Sequence, residues 1–190
     1  MGNLYVYFFI NNQPLFVFGN KYISFIIIYH VLLHLTFFLF RYYIMNQVDI
    51  GMKYSLSLLY IVSIICHTII YLFNPGIPSI NRYSKIFLKS VKYLKLTEEE
   101  QKEYYICEEC NILIKESEKV EHCDDCKICV KKYDHHCYWT GKCITKRNIL
   151  FFYGFAFSTL FYILWYFLII IYWLMLIITK RNKIDNKKYI

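Results

Sequence analysis

The sequence predicts an α-helical integral membrane protein with three apparent transmembrane helices and a cysteine-rich, two-zinc module between the second and third. Three observations predict it. Of 190 residues, 57% are hydrophobic and 21% aromatic, above the ~45–50% apolar content of soluble domains. The apolar residues come in blocks: 22–44, 54–73 and 149–178 carry almost no charge, whereas 74–148 hold 14 Lys/Arg and 12 Asp/Glu. Runs of about 20 apolar residues match the ~30 Å of hydrocarbon a helix must cross. Finally, seven of the eight cysteines fall between Cys107 and Cys143.

The elements follow in chain order. Residues 1–21 are an N-terminal lead-in. Its segment 4–18 is apolar but interrupted by Asn11, Asn12 and Pro14, which suits an interface better than a span. Met1-Gly2 resembles a myristoylation start, yet Val6 stands where Ser or Thr is required, and no secretory signal is expected. Residues 22–73 hold two spans, Tyr22–Tyr43 and Tyr54–Phe73, joined by a loop from Met45 to Lys53 and closed by Asn74-Pro75-Gly76, a helix-stopping sequence. Residues 74–103 are an amphipathic linker in which Arg82, Lys85, Lys89 and Lys92 recur at helical spacing opposite Tyr83, Phe87, Val91 and Leu94. Such a helix lies on an anionic cytoplasmic surface or packs on the cysteine-rich module. Thr97 with Glu100 forms a capping box. The cysteine-rich module spans 104–148, an apolar segment 149–178, and a basic tail 179–190. The net charge of +8 reads as a membrane-orientation signal, with no aromatic-interleaved basic groove for nucleic acid.

Cys107-x2-Cys110 and Cys123-x2-Cys126-x2-Cys129 have the spacing of zinc knuckles, in which two thiolates from one tight turn grip an edge of a tetrahedron. With His122, His135, His136, Cys137 and Cys143 the candidates are seven Cys and three His. Two closed tetrahedral sites take eight and leave one Cys and one His, the pair an activated thiolate nucleophile needs. Asp134 can orient a histidine and stabilise its protonated form. Spacing alone leaves this reading level with one in which all ten groups are ligands or bystanders.

The stretch DHHCYWTGKCI, residues 134–144, resembles the signature of the DHHC-type protein S-acyltransferases, or palmitoyltransferases. The likeness runs through Cys107, Cys110, His122, Cys123, Cys126, Cys129, Asp134–Cys137, Trp139, Cys143, Asn148 and Phe152, with Asn74-Pro75-Gly76 where the family usually has Asp-Pro-Gly. The resemblance implies one zinc on Cys107, Cys110, His122 and Cys129, and a second on Cys123, Cys126, His136 and Cys143. It implies Cys137 as nucleophile, His135 as general base and Asp134 as its orienting partner. Palmitoyl-CoA or another acyl-CoA would be the donor, and cysteines of proteins at the cytosolic membrane face the acceptors. It implies a multi-pass protein of an endomembrane, endoplasmic reticulum or Golgi, with the zinc module facing the cytosol.

This chain departs from the family pattern at several points. Tyr138 replaces the usual proline, Lys142 stands where Asn is common, and the Thr-Thr-x-Glu motif is lacking. The family usually has four spans. Residues 149–178 make one 30-residue run, ~45 Å as a helix, too short for two full crossings unless it is a re-entrant hairpin. One crossing puts the tail in the lumen, while Lys180, Arg181, Lys183, Lys187 and Lys188 and the dilysine-like KKYI end favour the cytosol. A non-catalytic, membrane-anchored zinc adaptor is the alternative function.

Other residues carry plainer expectations. His30 and His34 share a helix face, where hydrogen bonding between helices is expected before metal or haem ligation. His67 and Cys66 are expected to be packing residues, with acylation of Cys66 as the alternative. Tyr153, Tyr162, Tyr166, Tyr172 and Trp173 should face lipid or the interface. Gly154, Ala156, Ser158 and Thr159 should permit close helix packing.

Overall fold

The computed structural model describes residues 4–10, 13–19, 23–77, 97–110 and 112–188. The basic linker face from Arg82 to Lys95 lies outside them. The chain forms two compact units, one made of Met1–Ile27 and His67–Phe152, the other of Ile28–Cys66 and Tyr153–Ile190.

Among the described residues, three helical stretches are long and apolar enough to cross a membrane: Ile23–Gln47, Ile50–Leu72 and Ile149–Ile184. The first comprises helix α1 (Ile23–Leu39), which loosens into a π turn at Phe40–Ile44 and tightens to 3-10 at Met45–Gln47. Helix α2 (Ile50–Leu72) starts four residues before the expected Tyr54, so the connection shrinks to Val48 and Asp49. After the single turn α3 (Glu98–Gln101), which begins directly behind Thr97, the last helix α4 runs unbroken over Ile149–Lys188. It contains no re-entrant turn, because no Pro or Gly interrupts the sequence beyond Gly154.

Within the helical unit, Leu33, Phe40, Ile44, Leu56, Tyr162 and Ile169 form the buried core. The rings of Phe37 and Tyr60 stack at 3.9 Å. Tyr162 is therefore not lipid-facing as expected: it is 3% exposed, and its hydroxyl lies 3.1 Å from Thr36 Oγ1. Burial is affordable because an interior tyrosine can pack its ring while its hydroxyl finds a partner. Tyr166, Tyr172 and Trp173 also pack on this core, whereas Tyr153 is exposed. Ser63 Oγ lies 2.9 Å from Ser158 Oγ and 2.8 Å from Thr159 Oγ1, which in turn lies 3.1 Å from Tyr29 OH. Small hydroxyl residues thus join the helices, as they do where lipid removes any hydrophobic drive between them. His34 Nδ1 is 2.7 Å from Tyr60 OH, the expected interhelical hydrogen bond, and the His34 ring stacks on that of His30. The outward faces stay apolar and exposed, with Ile27, Val31, Phe38, Leu58, Leu160 and Phe167 among them.

The described residues of the other unit form four two-stranded antiparallel hairpins. Strands β1 (Leu4–Ile10) and β2 (Gln13–Gly19) pair where a lead-in was expected. Aromatic and β-branched residues favour strands. The outer edge of β2 meets the end of α2: Phe16 bridges Phe73, and Asn74 N–H donates to Leu15 O at 3.0 Å. The remaining hairpins are β3 (Tyr104–Cys107) with β4 (Ile112–Lys115), β5 (Val120–Cys123) with β6 (Ile128–Lys131), and β7 (Tyr133–Cys137) with β8 (Lys142–Thr145). These strands are too short to enclose an apolar core of their own; Ile112, Ile114 and Val120 bury against Cys129, and Val17, Ile128 and Val130 against Cys123, Cys126 and Cys143.

Candidate metal centres and active site

Strand periodicity distributes the chemistry. Successive side chains on a strand point to opposite faces, so the adjacent His122 and Cys123 of β5 serve different sides of one hairpin. Register completes the groups: His122 pairs across to Cys129, and His136 to Cys143. The knuckle turns add two sulfurs to each. Cys107, Cys110, His122 and Cys129 then bring one ligand atom each to within 4.8 Å of one another, and Cys123, Cys126, His136 and Cys143 do the same. Either group can hold a metal ion.

The donor geometry fits zinc. With Zn–S ≈ 2.3 Å and Zn–N ≈ 2.0–2.1 Å, a tetrahedral S···N edge is about 3.5 Å. His122 Nδ1 stands 3.7, 3.2 and 3.8 Å from the sulfurs of Cys107, Cys110 and Cys129. His136 Nδ1 stands 3.5 and 3.3 Å from those of Cys123 and Cys126, and Cys143 Sγ is 3.4 Å from Cys126 Sγ. Two of the crowded thiols resist ionisation. Hydrogen bonds to Cys123 and Cys126, then burial, push the Cys143 thiol far up; burial first, then Cys107 and Cys110, does the same to Cys129. A divalent ion reverses this, since a coordinated thiol is deprotonated.

Cys137 and His135 belong to neither group. They alternate along β7 and so share a face, while His136 between them turns to the second cluster. A register shift falls between Tyr133 and His135; this bulge re-aims Asp134, whose Oδ2 accepts a hydrogen bond from His135 Nδ1 at 2.8 Å. That bond leaves Nε2 as the ring nitrogen able to accept a proton. The Phe152 ring edge meets the imidazole at 5.2 Å, holding it from the other side. Cys137 is 6% exposed and is followed by the turn 138–141, closed by Gly141 N–H to Tyr138 O at 3.3 Å. Gly141 takes φ +63°, a left-handed conformation that suits glycine.

Several residues support the site through contacts that the sequence does not specify. Asn74 Oδ1 accepts from the N–H groups of Gly76 and Ile77 at 2.8 and 2.7 Å, ending α2 in a turn whose Gly76 O accepts from Lys131 N–H. Asn148 Oδ1 accepts from Thr145 N–H at 2.8 Å, and its amide donates to Cys143 O at 3.1 Å, fixing β8 ahead of α4. His67 is buried, with Nε2 3.5 Å from Trp139 O, and Trp139 meets the Phe25 ring edge at 5.8 Å. Lys142 is wholly buried, and its ammonium donates to three backbone carbonyls. Burial pushes its pKa down to about 7, against the opposing pull of Cys126 and Cys143. Desolvating an ammonium costs several kcal/mol, which hydrogen bonds to a charged donor offset at about 1.5–3 kcal/mol each.

Residues 100–190 match the family described as DHHC palmitoyltransferase. The chain is 43% identical over 53 residues to probable protein S-acyltransferase 6 of Arabidopsis thaliana, covering 28% of this chain and 12% of that protein. It is 34% identical over 85 residues to human palmitoyltransferase ZDHHC17, covering 38% and 13%, and 50% identical over 40 residues to zebrafish (Danio rerio) palmitoyltransferase ZDHHC18-A, covering 21% and 9%. The matched segments thus span about an eighth or less of these relatives' lengths.

Proposed function

We propose that this chain, whose residues 100–190 match the DHHC palmitoyltransferase family, is a membrane-embedded protein S-acyltransferase that carries a fatty acyl group on Cys137. The observation that carries the reading is a cysteine outside both metal-ligand groups, on the same strand face as a histidine bonded to a carboxylate. A purely structural zinc module has no use for that arrangement.

In the proposed reaction His135 Nε2 takes the proton of the Cys137 thiol, and Asp134 steadies the imidazolium that results. Cys137 Sγ attacks the thioester carbonyl of an acyl-CoA. Its new C–S bond replaces the one to CoA, and the departing CoA thiolate takes the proton back from His135. A substrate thiol then gives its proton to His135 Nε2 and attacks the acyl-cysteine carbonyl; its new C–S bond replaces the one to Cys137, whose leaving thiolate takes that proton back. One thioester replaces another at each step, so activation and positioning matter more than driving force. Cys107, Cys110, His122 and Cys129 would hold one zinc and Cys123, Cys126, His136 and Cys143 the other. These ions are structural, pinning hairpins that have little apolar core.

The family relationship supports palmitoyl-CoA as donor and protein cysteines as acceptors. Acyl-CoA and reduced thiols occupy the cytosol, so the module is placed on that face of an endomembrane. Labelling with a clickable fatty acid tests the reading: the wild-type chain should take up label that hydroxylamine removes, and Cys137→Ser should abolish it while the protein still expresses and folds. Label of wild-type strength in Cys137→Ser would defeat the assignment and point to Cys66.

A further inference from the structure

We propose that Lys142 is a positioning residue for acyl transfer, clamping the strand opposite Cys137 onto the end of α2 and onto β2. The proposal rests on Cys137 being the acyl-carrying residue.

Cys137 and Lys142 face each other as the last pair of hairpin β7–β8 before its turn. The Lys142 Nζ donates to Val17 O at 2.7 Å, to Tyr71 O at 3.0 Å and to Phe73 O at 2.5 Å. An ammonium has three N–H groups and no acceptor, so this side chain is saturated. Its acceptors belong to two further segments, and one side chain therefore ties three pieces of chain together. Tyr71 and Phe73 lie at the C-terminal end of α2, where carbonyls lack intrahelical partners and carry the negative end of the helix dipole. A cation is the group such a nest favours.

Neighbouring contacts act in the same direction. Thr145 Oγ1, three residues along β8, donates to Pro75 O at 2.5 Å. On the other strand, His136 next to Cys137 is engaged with Cys123 and Cys126. The nucleophile end of the hairpin is thus held from β7 by a metal-ligand group and from β8 by Lys142. Slack on the β8 side would leave the ligand group assembled but let Cys137 drift from its reacting position, and a shift of about 1 Å can cost ~10²-fold in rate.

The test uses the purified full-length chain in detergent with alkynyl palmitoyl-CoA as probe. Lys142→Met keeps the side-chain length and removes all three donors. It should retain two zinc ions per chain and a KM for the probe within about twofold of wild type, while single-turnover acylation of Cys137 at saturating probe falls at least ~10-fold. An unchanged rate with zinc retained would overturn the proposal. If Lys142→Met loses zinc, the milder Lys142→Gln decides by the same rate criterion, and loss of zinc in both overturns the proposal by making Lys142 a folding residue only. A wild-type chain that takes up no acyl group would instead overturn the acyltransferase reading itself.

Discussion

At the scale of single residues, the proposed roles divide between two groups that could hold metal and a Cys137–His135 pair that lies outside both. Ten Cys and His side chains crowd residues 107–143, and spacing alone could say only that eight suffice for two tetrahedra. The division into two sets came from family resemblance; its physical basis is register, since His122 opposite Cys129 and His136 opposite Cys143 put each histidine with its own cysteines. The division predicts contrasting mutants. Cys107→Ala or Cys123→Ala should cost the chain zinc and the folded module, because metal binding here is folding energy. His135→Ala should keep two zinc ions and slow acyl uptake by about 10²–10⁴-fold, the usual worth of a general base. Metal analysis beside single-turnover acylation checks both, and one zinc per wild-type chain would be inconsistent with the arrangement. Lys142 was invisible in this respect: a lysine in a polar insert reads as a solvated charge, and only the folded chain shows three carbonyls around it.

At the scale of elements, the three apolar helices were legible because length and composition alone specify a span. The N-terminal hairpin was not, since its anchoring to Phe73 and Asn74 joins segments about sixty residues apart. Tyr162 failed for a related reason, as one helix's sequence does not say which side meets its neighbours. The helix contacts at Gly154 supply a prediction. A Cβ there would stand 2.9 Å from Cys66 Sγ, so Gly154→Ala should destabilise by about 1–3 kcal/mol through overpacking. Adding Cys66→Ala removes the obstructing sulfur and should restore most of the loss. Thermal unfolding in detergent reads the effect; equal stability of Gly154→Ala and wild type would show that α4 and α2 do not approach so closely.

At the scale of the whole molecule, topology follows from the number of crossings. Helix α4 is one unbroken segment of 40 residues; with each of the three candidate helices crossing once, we propose that module and tail face opposite sides of the membrane. The exposed Lys180, Arg181 and Lys183 pull the other way, but a positive-inside bias is weaker than the length needed for a second crossing. A glycosylation acceptor within residues 77–95 should stay unmodified, and one placed after Ile190 should be modified. Modification within 77–95 would put Cys137 away from its acyl donor and end the enzymatic account. The central claim is tested most directly by intact-mass analysis of the purified chain after mixing with palmitoyl-CoA, followed by peptide mapping. The account predicts one palmitoyl group per chain, on the peptide containing Cys137, released by hydroxylamine and passed on to an added thiol acceptor. A zinc-loaded chain that stays unacylated, or carries the group on Cys66, would contradict it.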